Sequence, residues 1–175
     1  MRLNLETDRL ILRPFSMDDA EAMFYGWASD DEVTKYLTWP SHTSIDVTKQ
    51  IIAKWVENYH NPDKINLAIV LKENHQLIGG IDIVDYEDGH VPVIGYDLSR
   101  KYWNHGYMTE AFKALLSYLF SIGHKEVRID AMKENIGSIR VIEKCGGIFL
   151  KKEALYRPLK GDTVYINKYV IKNNG

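Results

Sequence analysis

The sequence predicts an α/β domain built on one mixed sheet with helices on both faces. Three observations carry this. Strand-like runs gather between Asn66 and Leu98, which suits antiparallel hairpins. A strand–helix–strand passage then follows, the signature of a parallel crossover. Two more strand-like runs close the chain beyond it. The 175 residues suffice for one domain, residues 1–175, with a real core, and 45% hydrophobic and 26% charged residues are ordinary globular values.

The elements read in order as follows. Leu10 to Arg13 has the apolar content of a short strand, ended by Pro14. Ser16 suits the cap of the next helix, with Asp18 and Asp19 in its first turn, where the helix dipole favours negative charge. Ile45, Ile52, Trp55, Val56 and Tyr59 recur at near-helical spacing, predicting a helix over 45–59. Asn66 to Leu71 and Gln76 to Val84 form a hairpin around 72–75, and Val91 to Leu98 is a third strand. Met108, Ala111, Phe112, Leu115, Leu116, Leu119 and Phe120 mark an amphipathic helix that Gly123 ends. Glu126 to Ala131 is the next strand. Ile136 to Lys144 is a shorter helix stopped by Gly146 and Gly147. Phe149 to Tyr156 and Val164 to Ile171 complete the sheet.

The formal net charge of -2 argues against nucleic-acid binding, which favours a strongly basic face. No apolar run approaches the roughly 20 residues of a membrane span. The N-terminal stretch is interrupted by Glu6, Asp8, Arg9 and Arg13 and is no secretory signal. One cysteine fits a cytoplasmic protein. The histidines show no ligand spacing, so no metal is expected. Cys145 lacks a neighbouring histidine and reads as a small buried apolar residue.

The stretch from Val93 to Gly147 carries the chemistry. A strand ends near Leu98, a loop with Trp103, Asn104, His105 and Gly106 follows, and a helix begins near Tyr107. The unpaired amides of a helix N-terminus suit an anion such as a pyrophosphate, and Gly106 lets it come close. His105 and Thr109 offer side-chain donors. The same residues also fit a plain strand-to-helix turn. Asp82 and Asp85 fit either a water-mediated base or solvated strand carboxylates. Tyr36 and Trp39 fit either an aromatic pocket wall or packing of the early helices. Asp30, Asp31 and Glu32 beside them fit either attraction of a cation or a wet helix end.

The arrangement IGYDL, then KYWNHGYMTEA, then a long apolar helix, then RIDAMKENIGSIRVIEKCGG resembles the GNAT superfamily of N-acetyltransferases. It is most similar to the branch holding the ribosomal-protein N-terminal acetyltransferases, as are TDRLILRPF, KYLTWP and GDTVYINKYVI. The resemblance implies a mostly antiparallel, twisted sheet of six to seven strands with a central splayed pair and a cofactor-binding core over about 91–147. It implies that acetyl-CoA is the cosubstrate, its pantetheine arm pairing with the backbone of Tyr96, Asp97 and Leu98. Trp103, Asn104, His105, Gly106, Tyr107, Met108 and Thr109 would wrap the pyrophosphate. Asn135 would hold the cofactor arm, and Ser138 would protonate the departing sulfur, with a tyrosine such as Tyr156 next in line. The Leu98 backbone amide would polarise the thioester carbonyl. Tyr36, Trp39 and Asp82 would bind the acceptor.

Three departures stand out. Asn104 and Met108 replace the small residues of many relatives, and Val93 stands where many carry a glutamate that serves as base. A lysine-like amine is neutral only about once in 2,500 molecules at pH 7, so a missing base is better tolerated by an α-amine. The acceptor is therefore left open between a protein N-terminus and a small-molecule amine. A non-catalytic acyl-CoA sensor is the rival function, and the protein is expected as a monomer or homodimer.

Overall fold

A computed structural model describes residues 2–175. Eight strands form one sheet in the order β1-β2-β3-β4-β5-β6-β8-β7. They are β1 (Leu5–Glu6), β2 (Leu10–Pro14), β3 (Asn66–Leu71), β4 (Leu77–Glu87), β5 (Val91–Leu98), β6 (Glu126–Met132), β7 (Ile148–Arg157) and β8 (Asp162–Lys172). Every neighbouring pair is antiparallel except β5 and β6. The strand beyond the expected seven is β1, whose two residues are too few for a periodic pattern.

Helical segments cover both faces. On one lie α4 (Tyr107–Ser121) and α5 (Ile136–Lys144). On the other lie a short 3-10 turn at Met17–Asp19, α1 (Ala20–Met23), a π turn at Phe24–Ala28, α2 (Asp31–Thr34) and α3 (Ile45–Asn58). The two cores follow from strand alternation in β3, which is buried throughout. Leu67, Ile69 and Leu71 join Phe112, Leu115 and Leu119 of α4, while Ala68 and Val70 join Met23, Trp27 and Ile52. Asp19 receives the Ser16 N–H at 2.8 Å and pairs with Arg13 at 2.8 Å, which fixes the entry to the first helical segment.

The feature that positions the site is the brevity of the β5–β6 pairing. Among the described residues only Val93 with Arg128 and Ile94 with Ile129 are in register. Beyond Ile94, β5 runs on to Leu98 held by β4 alone, and β6 runs on to Met132 held by β8 alone. The central pair therefore parts, as the resemblance implied. Among the described residues no helix is long and apolar enough to cross a membrane.

Candidate active site

Where the strands part, their inner backbone edges lose their partners. The Ser99 N–H bonds the Ile78 carbonyl at 2.8 Å, so the amide of Ser99 points to β4. Strand alternation then aims the amides of Leu98 and Tyr96 the other way, into the gap. The Leu98 carbonyl agrees with this, since it faces the gap and accepts the Trp103 indole N–H at 2.8 Å. These two amides have no ladder partner at the gap among the described residues, and Tyr96 lines a cleft of about 550 Å³.

At the end of β5 the chain turns into α4. Asn104 and Gly106 both take left-handed backbone conformations, with φ of 63° and 79°. Asparagine is among the few side chains that tolerate this, so its replacement of a small residue keeps the turn's shape. The first-turn amides of Tyr107, Met108 and Thr109 have no intrahelical acceptor. The Met108 side chain is buried in the core rather than filling the loop, leaving only its backbone at the turn. The His105 ring lies over Tyr107 at 5.8 Å, and its Nδ1 is 2.6 Å from the Trp103 carbonyl. Arg9 adds a cation that sequence reading passed over. Its Nη1 donates to the His105 carbonyl at 3.0 Å, its Nε pairs with Glu110 at 2.9 Å, and its guanidinium covers the Tyr107 ring at 4.2 Å. The sequence signal was Arg9 itself, within TDRLILRPF.

Across the gap, Asn135 caps α5 by accepting the Ser138 N–H at 3.2 Å. Ser138 Oγ lies 2.8 Å from the Tyr96 hydroxyl, which also reaches the Ser138 carbonyl at 3.3 Å. Burial raises the pKa of Tyr96, partly offset by its bond to Ser138. Tyr156, by contrast, is exposed on β7, away from the cleft lining. The tyrosine beside Ser138 is thus Tyr96. Burial pushes the Cys145 thiol up to about 11, and its Sγ faces the Thr109 carbonyl, consistent with an inert side chain.

The other face of the cleft gathers Tyr36, Trp39, Asp82, Asp97, Asp130 and Arg157. Asp97 lies here because alternation turns it opposite to Tyr96 and Leu98. Across the β4–β5 ladder Asp82 pairs with Gly95, and Asp97 with Gly80. Each carboxylate leans over the opposite glycine: the place of a Gly95 Cβ is 3.3 Å from Asp82 Oδ1, and that of Gly80 is 3.3 Å from Asp97 Oδ1. Burial raises the pKa of Asp82, and the Asp97 charge adds to it; burial likewise raises Asp97, offset by the Gly80 amide and the Trp27 indole. Among the described residues the buried Trp27 N–H has no partner in hydrogen-bond geometry, so its effect on Asp97 is that of a nearby dipole. Arg157 ties down the wall. It grips Asp162 at 2.7 and 2.6 Å and donates to the carbonyls of Lys35 and Leu37. Asp85 is exposed at a bulge of β4. Asp30 is occupied by Arg100 at 2.9 Å and by capping α2, and Asp31 by Ser41. Among the described residues no group of three His, Cys, Asp or Glu side chains is placed to hold a metal.

The acetyltransferase (GNAT) domain family model matches residues 9–148. The chain belongs to the GNAT family. The uncharacterized N-acetyltransferase p20 of Bacillus licheniformis is 31% identical over 156 residues, covering 87% of this chain and 85% of the relative. A GNAT-family acetyltransferase of Bacillus anthracis superposes with a TM-score of 0.85 at 26% identity, covering 97% of this chain and 98% of that one. RimL, a ribosomal L7/L12 alpha-N-protein acetyltransferase, shares the fold with a TM-score of 0.86 at 18% identity, covering 99% and 96% of the two chains. RimL has also been solved with coenzyme A. As a GNAT protein this chain is an acetyl-CoA-dependent acetyltransferase.

Proposed function

We propose that residues 1–175 form one catalytic domain that passes the acetyl group directly from acetyl-CoA to a primary amine in a ternary complex. The observation that carries this is the pair of unused amides, Tyr96 and Leu98, in the gap where β5 leaves β6. An extended pantetheine arm needs such donors. The Leu98 amide would stabilise the charge that develops on the thioester oxygen. The loop from Trp103 to Thr109 would hold the pyrophosphate through its amides, with Arg9 at its rim. Asn135, whose Oδ1 is used by the cap, would offer its NH2 to the cofactor arm. Holding both reactants supplies much of the rate, on the order of 7–11 kcal/mol in favourable cases. Ser138, with Tyr96 behind it, would deliver a proton to the departing sulfur. Tyr36 and Trp39 would wall the acceptor.

The test is thiol release from acetyl-CoA across a panel of peptides and small amines. Turnover with an amine supports the reading and separates protein N-termini from small molecules. Tight coenzyme A binding with no turnover on the whole panel would support a sensor instead.

A further inference from the structure

Val93 gives this cleft no base, yet two carboxylates stand across the β4–β5 ladder on the acceptor face. Neither Asp82 nor Asp97 makes a hydrogen bond to another side chain among the described residues. Phe15 closes one side, its ring within 3.4 Å of the place of a Gly80 Cβ, and Trp55 stacks on Phe15 at 4.8 Å. Both carboxylates border the cleft with Leu98's amide on the same strand as Asp97. Any side chain at position 80 or 95 would occupy the ground over which they lean.

We propose that Asp82 and Asp97 act as one base, and that the acceptor enters as a protonated alkylamine which this pair deprotonates. The proposal rests on the acetyl-transfer reading of the same cleft. The ammonium N–H gives its proton to the carboxylate pair, and the freed lone pair forms the C–N bond as the C–S bond breaks. The sulfur takes a proton from the Ser138–Tyr96 pair, which is restored by the second proton leaving nitrogen. The products are the amide, coenzyme A and one proton.

The surroundings favour a cation. Asp130 on β6 borders the same cleft with a buried Oδ1 that has no partner among the described residues. The cations nearby are engaged, Arg157 by Asp162 and Lys168 by Glu87 at 2.8 Å. His42, the titratable group entering from the segment before α3, has a pKa lowered by burial and is neutral. Tyr59, from the end of α3, is pushed up to about 12 and is also neutral. Burial holds the carboxyls of Asp82 and Asp97 well above the usual carboxylate range, with the Asp97 charge adding to the rise at Asp82, which suits a pair that takes a proton from an ammonium.

The experiment compares Asp82→Asn and Asp97→Asn with the parent enzyme, using the best alkylamine of the panel and its β,β,β-trifluorinated analogue, which three fluorines make weakly basic enough to be mostly neutral at pH 7. Coenzyme A affinity reports that each variant is folded. The proposal expects kcat/KM to fall roughly 100-fold for the alkylamine and less than about tenfold for the fluorinated amine. It also expects the rising limb of the pH profile to be lost or moved in both variants. Equal losses for the two amines with an unchanged pH profile would overturn it. If the parent enzyme acetylated no amine at all, the acetyl-transfer reading would fall first, and that outcome is distinct.

Discussion

The Tyr96 hydroxyl and Ser138 Oγ stand 2.8 Å apart across the gap between β5 and α5. Tyr96 can donate to only one of its two acceptors at a time, so the serine proton is free to point toward the cleft when Tyr96 holds the Ser138 carbonyl. On the proposed reading the two hydroxyls act as a unit. Ser138→Ala and Tyr96→Phe should each lower kcat about 10- to 100-fold while leaving the coenzyme A dissociation constant within about threefold. The double variant should lose little more than the worse single one, since coupled groups are not additive. Single-turnover kinetics on the three variants checks this.

Asp82 has a second consequence. Its folded pKa is raised above the unfolded value, with burial the main cause and Asp97 the next. The native state thus binds more protons than the unfolded one between about pH 4 and pH 8, and stability falls as pH rises through that range. Asp82→Asn removes the charge and should raise Tm more at pH 8.5 than at pH 5. Calorimetry at the two pH values reads the difference directly.

Gly95 is required by its neighbours. A Cβ there would sit 2.7 Å from Val84 Cγ1 and 3.3 Å from Asp82 Oδ1. Gly95→Ala should destabilise the fold by about 1–3 kcal/mol, as overpacking does, and raise the acceptor KM by displacing Asp82. Urea unfolding and steady-state kinetics on the same preparation test both effects.

Arg157 holds the wall of the proposed acceptor site from behind, buried between Asp162 and the carbonyls of Lys35 and Leu37. Arg157→Met strands those carbonyls, at about 1–3 kcal/mol for each group left unsatisfied. The acceptor KM should rise while coenzyme A affinity stays near the parent value. Isothermal titration alongside kinetics separates the two.

Much of this was legible in the sequence because local patterns were strong. The repeat through Ala111, Phe112, Leu115 and Leu119 located α4, and Gly106 its start. The parting of β5 from β6, and the loop, Asn135 and Ser138, came through resemblance. What escaped were relations between distant positions. Arg9 reaches His105 across 96 residues and Arg157 reaches Leu37 across 120, and no spacing rule encodes such contacts. For Asp97 the resemblance concerns the backbone alone and says nothing of the side chain. Alternation turns that side chain to the face that holds Asp82, and seeing this required the register that sets Gly80 and Gly95 opposite the two carboxylates. β1 escaped because two residues carry no period.

On the proposed reading coenzyme A enters the gap between β5 and β6 with its diphosphate against residues 103–109. Calorimetric titration of the parent protein, Asn135→Ala and Gly106→Trp with coenzyme A addresses this most directly. We expect one site per chain in the parent, about tenfold weaker binding for Asn135→Ala, and loss of binding for Gly106→Trp. Unchanged affinity in Gly106→Trp, or no heat in the parent at any concentration, would contradict it.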